Sequence, residues 1–287
     1  MIYQATHLTH YKYEEPVSQC VSEARLAPRN LPWQHVLETK LEVHPEPALI
    51  ERRKDYFGND VATFTVFRTH DHFTAAATSI VEVKPRATAY LPQISWEQAQ
   101  KALVEHPGED SLEAYEFTFD SPFVASSPAL ADYARPSFKP GRPLAEAVME
   151  LSHRVNTEFL YRPKSTSIDT PLQEVLEKRQ GVCQDFSHIM IGALRSLHLA
   201  ARYVSGYLRS GVDVQGAEAS HAWVSVFIPG YGWLPLDPTN DVIPSEGHIT
   251  LAWGRDYGDV APVKGISLGG GKQTVEVEVR VVPVQVV

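Results

Sequence analysis

From Val182 onward, apolar residues recur at Val182, Phe186, Ile189, Met190, Ala193, Leu194 and Leu197. Steps of three and four positions, kept up for about four turns, predict an amphipathic helix with one buried face. A second helix is predicted from Pro143 to Phe159, where Leu144, Val148, Leu151 and Val155 share a face. Between the two, Thr170-Pro171-Leu172-Gln173 reads as an N-cap, a first-turn proline and a glutamine at the capping-box position. It opens a short helix to Arg179, which Gly181 stops.

Downstream the period changes. Ala201–Leu208, Ala222–Ile228 and Trp233–Leu236 read as strands, with Pro229-Gly230-Tyr231-Gly232 turning between the last two. The tail Thr274–Val286 begins by alternating Val with Glu or Arg, which predicts a final, half-exposed strand. Upstream, Tyr3–Tyr13, Val36–Val43, Val61–Arg68 and Phe73–Val83 carry β-branched and aromatic residues in partial alternation. Turn signals separate them at Pro45-Glu46-Pro47 and Phe57-Gly58-Asn59-Asp60.

The expected organisation is therefore α+β. Residues 1–85 form an antiparallel, β-sandwich-like domain and residues 86–140 a proline-broken connector. The connector holds short helices at Trp96–Val104 and Pro128–Ala134, the latter capped by Ser127. Residues 141–287 form a second domain in which a helix packs on an antiparallel sheet.

Composition narrows the function classes. With 43% hydrophobic and 21% charged residues, the chain is neither disordered, collagenous nor membrane-spanning in character. A net charge of -9 argues against a binder of nucleic-acid backbones, which needs a basic surface. No apolar run of about 18 residues is present to span a membrane. The opening residues lack a charged segment followed by an apolar one, so the expected address is cytoplasmic. Two cysteines, Cys20 and Cys183, make no disulfide framework, and a reducing compartment would keep both as thiols.

Cys183 falls in the first turn of its helix, where the positive end of the helix dipole favours a thiolate. His221 heads a strand and shares a face with Trp223, Ser225 and Phe227. Folding the next strand back around Pro229–Tyr231 sets Asp237 within about two residues of the position opposite His221. Taken singly, the three are a packed cysteine, a satisfied histidine and a turn-forming aspartate before Pro238. Together they have the makings of a nucleophile, a base and a group that orients the base.

Other signals carry less. Asp185 and His188 lie near Cys183, but zinc sites draw three or four ligands, often from paired motifs, so neither a metal nor any other cofactor is expected. Gly269-Gly270-Gly271-Lys272 lacks the rest of a phosphate-binding loop and precedes a strand, so it reads as a turn. Trp223, Trp233 and Trp253 read as core residues, and His70 and His72 as exposed.

The segments Gly181-Val182-Cys183-Gln184-Asp185-Phe186, Ser220-His221-Ala222-Trp223 and Gly232-Trp233-Leu234-Pro235-Leu236-Asp237-Pro238-Thr239 resemble, in order and spacing, the three core motifs of bacterial transglutaminase-like proteins. Residues 195–207 and Gly254–Pro262 are similar to further segments of that group, and residues 1–85 resemble its N-terminal β region. His198 and Ala200 depart from the Gly and Pro common in the family at those places. The resemblance implies a papain-like transglutaminase core with Cys183, His221 and Asp237 as a catalytic triad. The thiolate would attack a carboxamide or peptide carbonyl, and an amine or water would resolve the thioester. The tetrahedral intermediate needs oxyanion donors, for which the Cys183 backbone N–H and Tyr161 are candidates. The implied substrate is a peptide or protein, or a small amide. The alternative is a non-catalytic peptide- or protein-binding module that keeps the fold.

Overall fold

The computed structural model describes residues 1–86, 90–105, 108–211, 214–217 and 219–285. Its first strand, β1 (Ile2–Ala24), runs for 23 residues and is followed by β2 (Gln34–His44), β3 (Leu49–Lys54), β4 (Asp60–Val66) and β5 (His70–Val83). A strand that long serves two halves of one sheet. Its first half, Ile2–Lys12, pairs antiparallel with β5, and β2 lies beyond β5. After a register break between Lys12 and Val17, residues Cys20–Ala24 pair with β4, and β3 lies beyond β4. Tyr13, Val17, Cys20, Phe64, Val66, Phe73 and Ala75, drawn from both halves, pack into one buried cluster. This is the sandwich-like arrangement expected, built from a single bent sheet. β3 escapes the sequence reading because all six of its residues are exposed, so no alternation marks it. His70 corrects an expectation: its ring is buried, with Nδ1 bonded to Arg68 O at 2.6 Å, while His72 is exposed.

The connector is more helical than its prolines suggest, with α1 (Trp96–Glu105), α2 (Glu109–Tyr115), a 3₁₀ turn at Glu116–Thr118, and α3 (Pro128–Ala134). Ser127 caps α3 as expected, its Oγ accepting from Leu130 N at 3.3 Å.

Next come α4 (Leu144–Glu158), β6 (Leu160–Tyr161), α5 (Leu172–Lys178), β7 (Gln180–Gly181) and α6 (Cys183–Arg195). Two local readings are corrected here. Thr170 does not cap α5; its hydroxyl accepts from Ser167 N at 2.9 Å, and Pro171 takes the cap position. Nor does Gly181 stop α5, since the left-handed residue after the helix is Arg179, with φ of 52°. Gly181 belongs to β7, which pairs parallel with β6.

The central sheet contains β8 (Ala201–Leu208), β9 (His221–Ile228), β10 (Gly232–Leu236) and β11 (His248–Gly254), ordered β10-β9-β8-β11 and antiparallel throughout. Phe186, Ile189, Met190, Ala193 and Leu194 of α6 share a core cluster with Ala222, Val224, Val226 and Ile228. Burial of each such large aliphatic side chain stabilises by roughly 1.5–3 kcal/mol, which fixes the helix against the sheet. On the other face, Arg202 lies between the rings of Trp233 and Trp253, at 4.1 and 3.9 Å. These tryptophans are framework, as expected.

After β11 a short helix, α7 (Tyr257–Val260), leads into β12 (Val263–Gly269) and β13 (Gln273–Pro283). Both strands return to the N-terminal sheet, β13 beside Tyr3–Tyr13 and β12 beside Val17–Ala24. The sequence reading placed this tail with the second domain; pairing with β1 places it in the first. The strand expected at Thr274–Val286 is β13, largely exposed, and Val286 lies outside the described residues. The glycine run is the turn between β12 and β13, with positive φ at Gly269, Gly270 and Gly271.

The two halves of the molecule are also joined by buried amides. Edge strand β11 would leave backbone groups unpaired. Gln34 answers Thr250, donating to its O and accepting from its N, both at 2.8 Å. Asn59 treats Trp253 alike, at 2.9 and 3.0 Å.

Candidate active site

Cys183 is the first residue of α6, where N–H groups have no intrahelical acceptor and the helix dipole is positive. The turn is held by Asp185, whose Oδ2 accepts from Val182 N at 2.8 Å and from Thr166 Oγ1 at 2.6 Å. That is half of a capping box, since valine has no acceptor to return. The close turn requires Gly181: a β-carbon there would lie 2.6 Å from both Asp185 Cβ and Oδ2. Cys183 is half-buried, whereas Cys20 is buried in the sandwich and its thiol pKa is pushed up by burial. Both are free thiols.

His221 opens β9. Because Leu236 pairs with Val224, the following residue, Asp237, falls beside Trp223, two residues along from His221 on the same face. The contact anticipated from the hairpin is made: His221 Nε2 bonds Asp237 Oδ2 at 2.9 Å, and both side chains are fully buried. Burial alone would depress the ring's pKa, but the Asp237 carboxylate and then Cys183 more than reverse this, raising it to about 10. Asp237 shifts the other way; burial opposes its charge, yet His221 and His248 hold it well below the usual carboxylate range. The pair is an ionised carboxylate against an imidazole with a strong preference for its proton. Nδ1, the other ring nitrogen, has no hydrogen-bond partner among the described residues. Cys183 is close enough for its charge to favour the protonated ring.

Two polar residues around Asp237 went unnoticed in the sequence. His248 Nε2 reaches Asp237 Oδ2 at 3.2 Å, and Asn240 Nδ2 reaches the same oxygen at 2.9 Å. The other oxygen, Oδ1, accepts from Thr239 N at 3.0 Å and Asn240 N at 3.3 Å. Asn240 had a local signal, three residues after an aspartate that heads a turn. His248 had none, because it opens β11 (His248–Gly254), a strand that the sequence pattern does not mark. It reaches Asp237 across β8, where Gly206 pairs with His221 and contributes no side chain. The indole of Trp223 fills that space: a β-carbon on Gly206 would come within 2.3 Å of Trp223 Cη2. The Trp223 ring then meets His248 edge-on, with centroids 5.3 Å apart.

Tyr161 reaches the same region from β6. A β-carbon on Gly216, in the β8–β9 loop, would stand 3.6 Å from Tyr161 Oη and 2.6 Å from His221 Nδ1. The hydroxyl and the ring nitrogen therefore border one small space. The loop is tied to the aspartate turn through Asn240, whose Oδ1 accepts from Gln215 N at 2.9 Å and whose Nδ2 donates to Gln215 O at 3.3 Å.

Asp185 and His188 are engaged elsewhere than in a ligand set. The Asp185 carboxylate caps α6, and His188 Nε2 accepts from Tyr257 N at 3.2 Å. Among the described residues, no cluster of three or more His, Cys, Asp or Glu is suited to a metal, and no helix is long and apolar enough to cross a membrane.

Comparison with known proteins places these features in a wider set. Residues 3–82 match the bacterial transglutaminase-like N-terminal region, and residues 131–238 match the transglutaminase-like superfamily. An uncharacterized protein of Mycobacterium tuberculosis is 40% identical over 295 residues, covering 98% of this chain and 92% of its own length. A Pseudomonas aeruginosa protein-glutamine gamma-glutamyltransferase is 29% identical over 124 residues, 41% of this chain and 19% of its own. The crystal structure of a candidate cysteine protease from Cytophaga hutchinsonii shares the fold, with a TM-score of 0.77 at 21% identity. That similarity covers 100% of this chain and 92% of the other.

Proposed function

This chain belongs to the transglutaminase-like superfamily, and we propose that it is a cysteine enzyme cleaving or transferring acyl groups at a carboxamide or peptide bond, with Cys183, His221 and Asp237 as its triad. The observation that carries the reading is the state of the His221 ring: Nε2 is bonded to a buried carboxylate, Nδ1 has no partner among the described residues, and the charge of nearby Cys183 favours the protonated ring. An imidazole so held accepts the thiol proton at Nδ1, giving a thiolate beside an imidazolium at the positive end of α6.

The thiolate sulfur attacks the carbonyl carbon, and the C=O electron pair moves onto oxygen. The backbone N–H of Cys183 and the Tyr161 hydroxyl are the proposed donors to that oxyanion. As the oxyanion collapses, the C–N bond breaks and His221 gives its proton to the departing nitrogen, leaving a thioester on Cys183. Water or an amine then attacks the thioester, His221 takes the attacking group's proton, the C–S bond breaks to release the acid or new amide, and the thiolate–imidazolium pair is restored. Asp237 keeps the ring oriented and stabilises its charged form without taking the proton itself. No step calls on a cofactor. The proposed substrate is a peptide or protein, and the proposed address is cytoplasmic, where both thiols stay reduced.

The test is incubation of the protein with glutamine-containing peptides, with and without a primary amine, followed by mass spectrometry. Deamidation or peptide cleavage in water identifies hydrolysis, and addition of the amine identifies transfer. Both should vanish in a folded Cys183→Ala variant. Turnover that survives this substitution would end the proposal.

A further inference from the structure

Asp237 is held by more donors than a triad requires. Its Oδ2 receives His221 Nε2 at 2.9 Å, Asn240 Nδ2 at 2.9 Å and His248 Nε2 at 3.2 Å. A carboxylate oxygen offers two lone pairs, so three donors must share them. Each donor draws on charge that would otherwise act on His221 alone. We propose that His248 is a positioning residue which, by donating to Asp237 Oδ2, holds the carboxylate and limits its pull on the His221 proton.

The geometry of the second histidine supports a dedicated role. Its side chain is 12% exposed, and its ring stands edge-on to Trp223, which also lies 6.2 Å, centroid to centroid, from His221. The indole thus packs against both rings that share Oδ2. The groups whose charge acts on His248 are Asp237 after β10, His221 on β9, and Arg86 from the segment before the connector. Burial lowers its pKa despite the opposing effect of Asp237, so at neutral pH it donates from an uncharged ring. It can therefore weaken the Asp237–His221 attraction without placing a second positive charge beside the imidazolium. An imidazolium bound too tightly by its carboxylate would be a poor acid for the leaving nitrogen, and the His248 hydrogen bond lessens that attraction.

The inference rests on the thioester reading, so its test begins without substrate. The rate of Cys183 alkylation by iodoacetamide is followed across pH in the full chain by peptide mass spectrometry. In a thiolate–imidazolium pair the rate shows an upper inflection where His221 loses its proton. In a folded His248→Phe variant that inflection should move up by about 0.5–1 pH unit, a partial shift because Oδ2 keeps two other donors. Turnover at neutral pH should fall by about tenfold. His248→Gln, which restores a donor, should bring both readings back towards wild type. If His248→Phe does not fold, His248→Asn, whose amide is too short to reach, replaces it in the comparison with His248→Gln. An inflection that stays put or moves down in the donor-less variant overturns the role of His248 while leaving the triad intact. A wild-type Cys183 that alkylates only as an ordinary thiol, with no reaction below neutral pH, overturns the triad and this inference together.

Discussion

A β-carbon placed on Gly216 would stand 2.6 Å from Nδ1 of His221, inside van der Waals contact with the nitrogen assigned to the Cys183 proton. The residue also has φ of 85°, a conformation that L side chains rarely adopt. Glycine at this position lets the β8–β9 loop approach the ring closely enough to share one space with Tyr161.

Gly216→Ala is therefore expected to reduce turnover by about 10²-fold, because displacing a reacting group by about 1 Å has that scale of effect. The fold should suffer little more than about 1 kcal/mol, since the residue lies in a loop. Steady-state kinetics beside a urea titration will separate the two. Wild-type turnover in the variant would show that the loop stands clear of the ring during catalysis.

What the sequence disclosed follows from how local its signals are. The α6 helix, the β9–β10 hairpin and the joint placement of His221 and Asp237 all follow from period and register within about 60 residues of chain. The return of β12 and β13 to β1 depends on pairing across more than 200 residues, as with Tyr3 and Pro283, and nothing in alternation specifies such a partner. For the same reason His248 was invisible: its role comes from the absence of a side chain at Gly206, on a different strand. The buried amides Gln34 and Asn59 likewise gain meaning only beside the edge of β11.

His198 shows a departure from the family pattern becoming a physical statement. It follows α6 and its turn with φ of 53°, in the left-handed region where a β-carbon is disfavoured. A glycine here would relieve this. His198→Gly is expected to change stability by up to about +1 kcal/mol, the left-handed strain of about 1–2 kcal/mol being partly offset by the greater freedom of glycine in the unfolded chain. A higher urea midpoint with an unchanged slope is the expected result. A fall in the midpoint would mean that the imidazole makes contacts outweighing the strain.

Stability should pass through a maximum near neutral pH, with different histidines responsible for the two sides. His7, on β1 against Tyr207, and His188, in α6, are buried, and burial pushes each pKa down to about 4. In the unfolded chain both take up protons near pH 6.5, which the folded rings resist until about 4, so acidification through that window favours the unfolded state. At about pH 5 the loss per ring is on the order of 2 kcal/mol. His221 has the opposite sign: its raised pKa contributes stability that is complete below about 6.5 and is lost as pH climbs towards about 10. His7→Leu removes a ring whose buried Nδ1 has no partner among the described residues. That substitution should flatten the acid side by roughly half, while Asp237→Asn should flatten the slope between about pH 7 and 9. Urea midpoints measured at about pH 5, 7 and 9 for the three proteins check both effects. An acid side unchanged by His7→Leu would mean that His7 is protonated in the folded protein, and that water reaches the junction of the N-terminal sheet with the core.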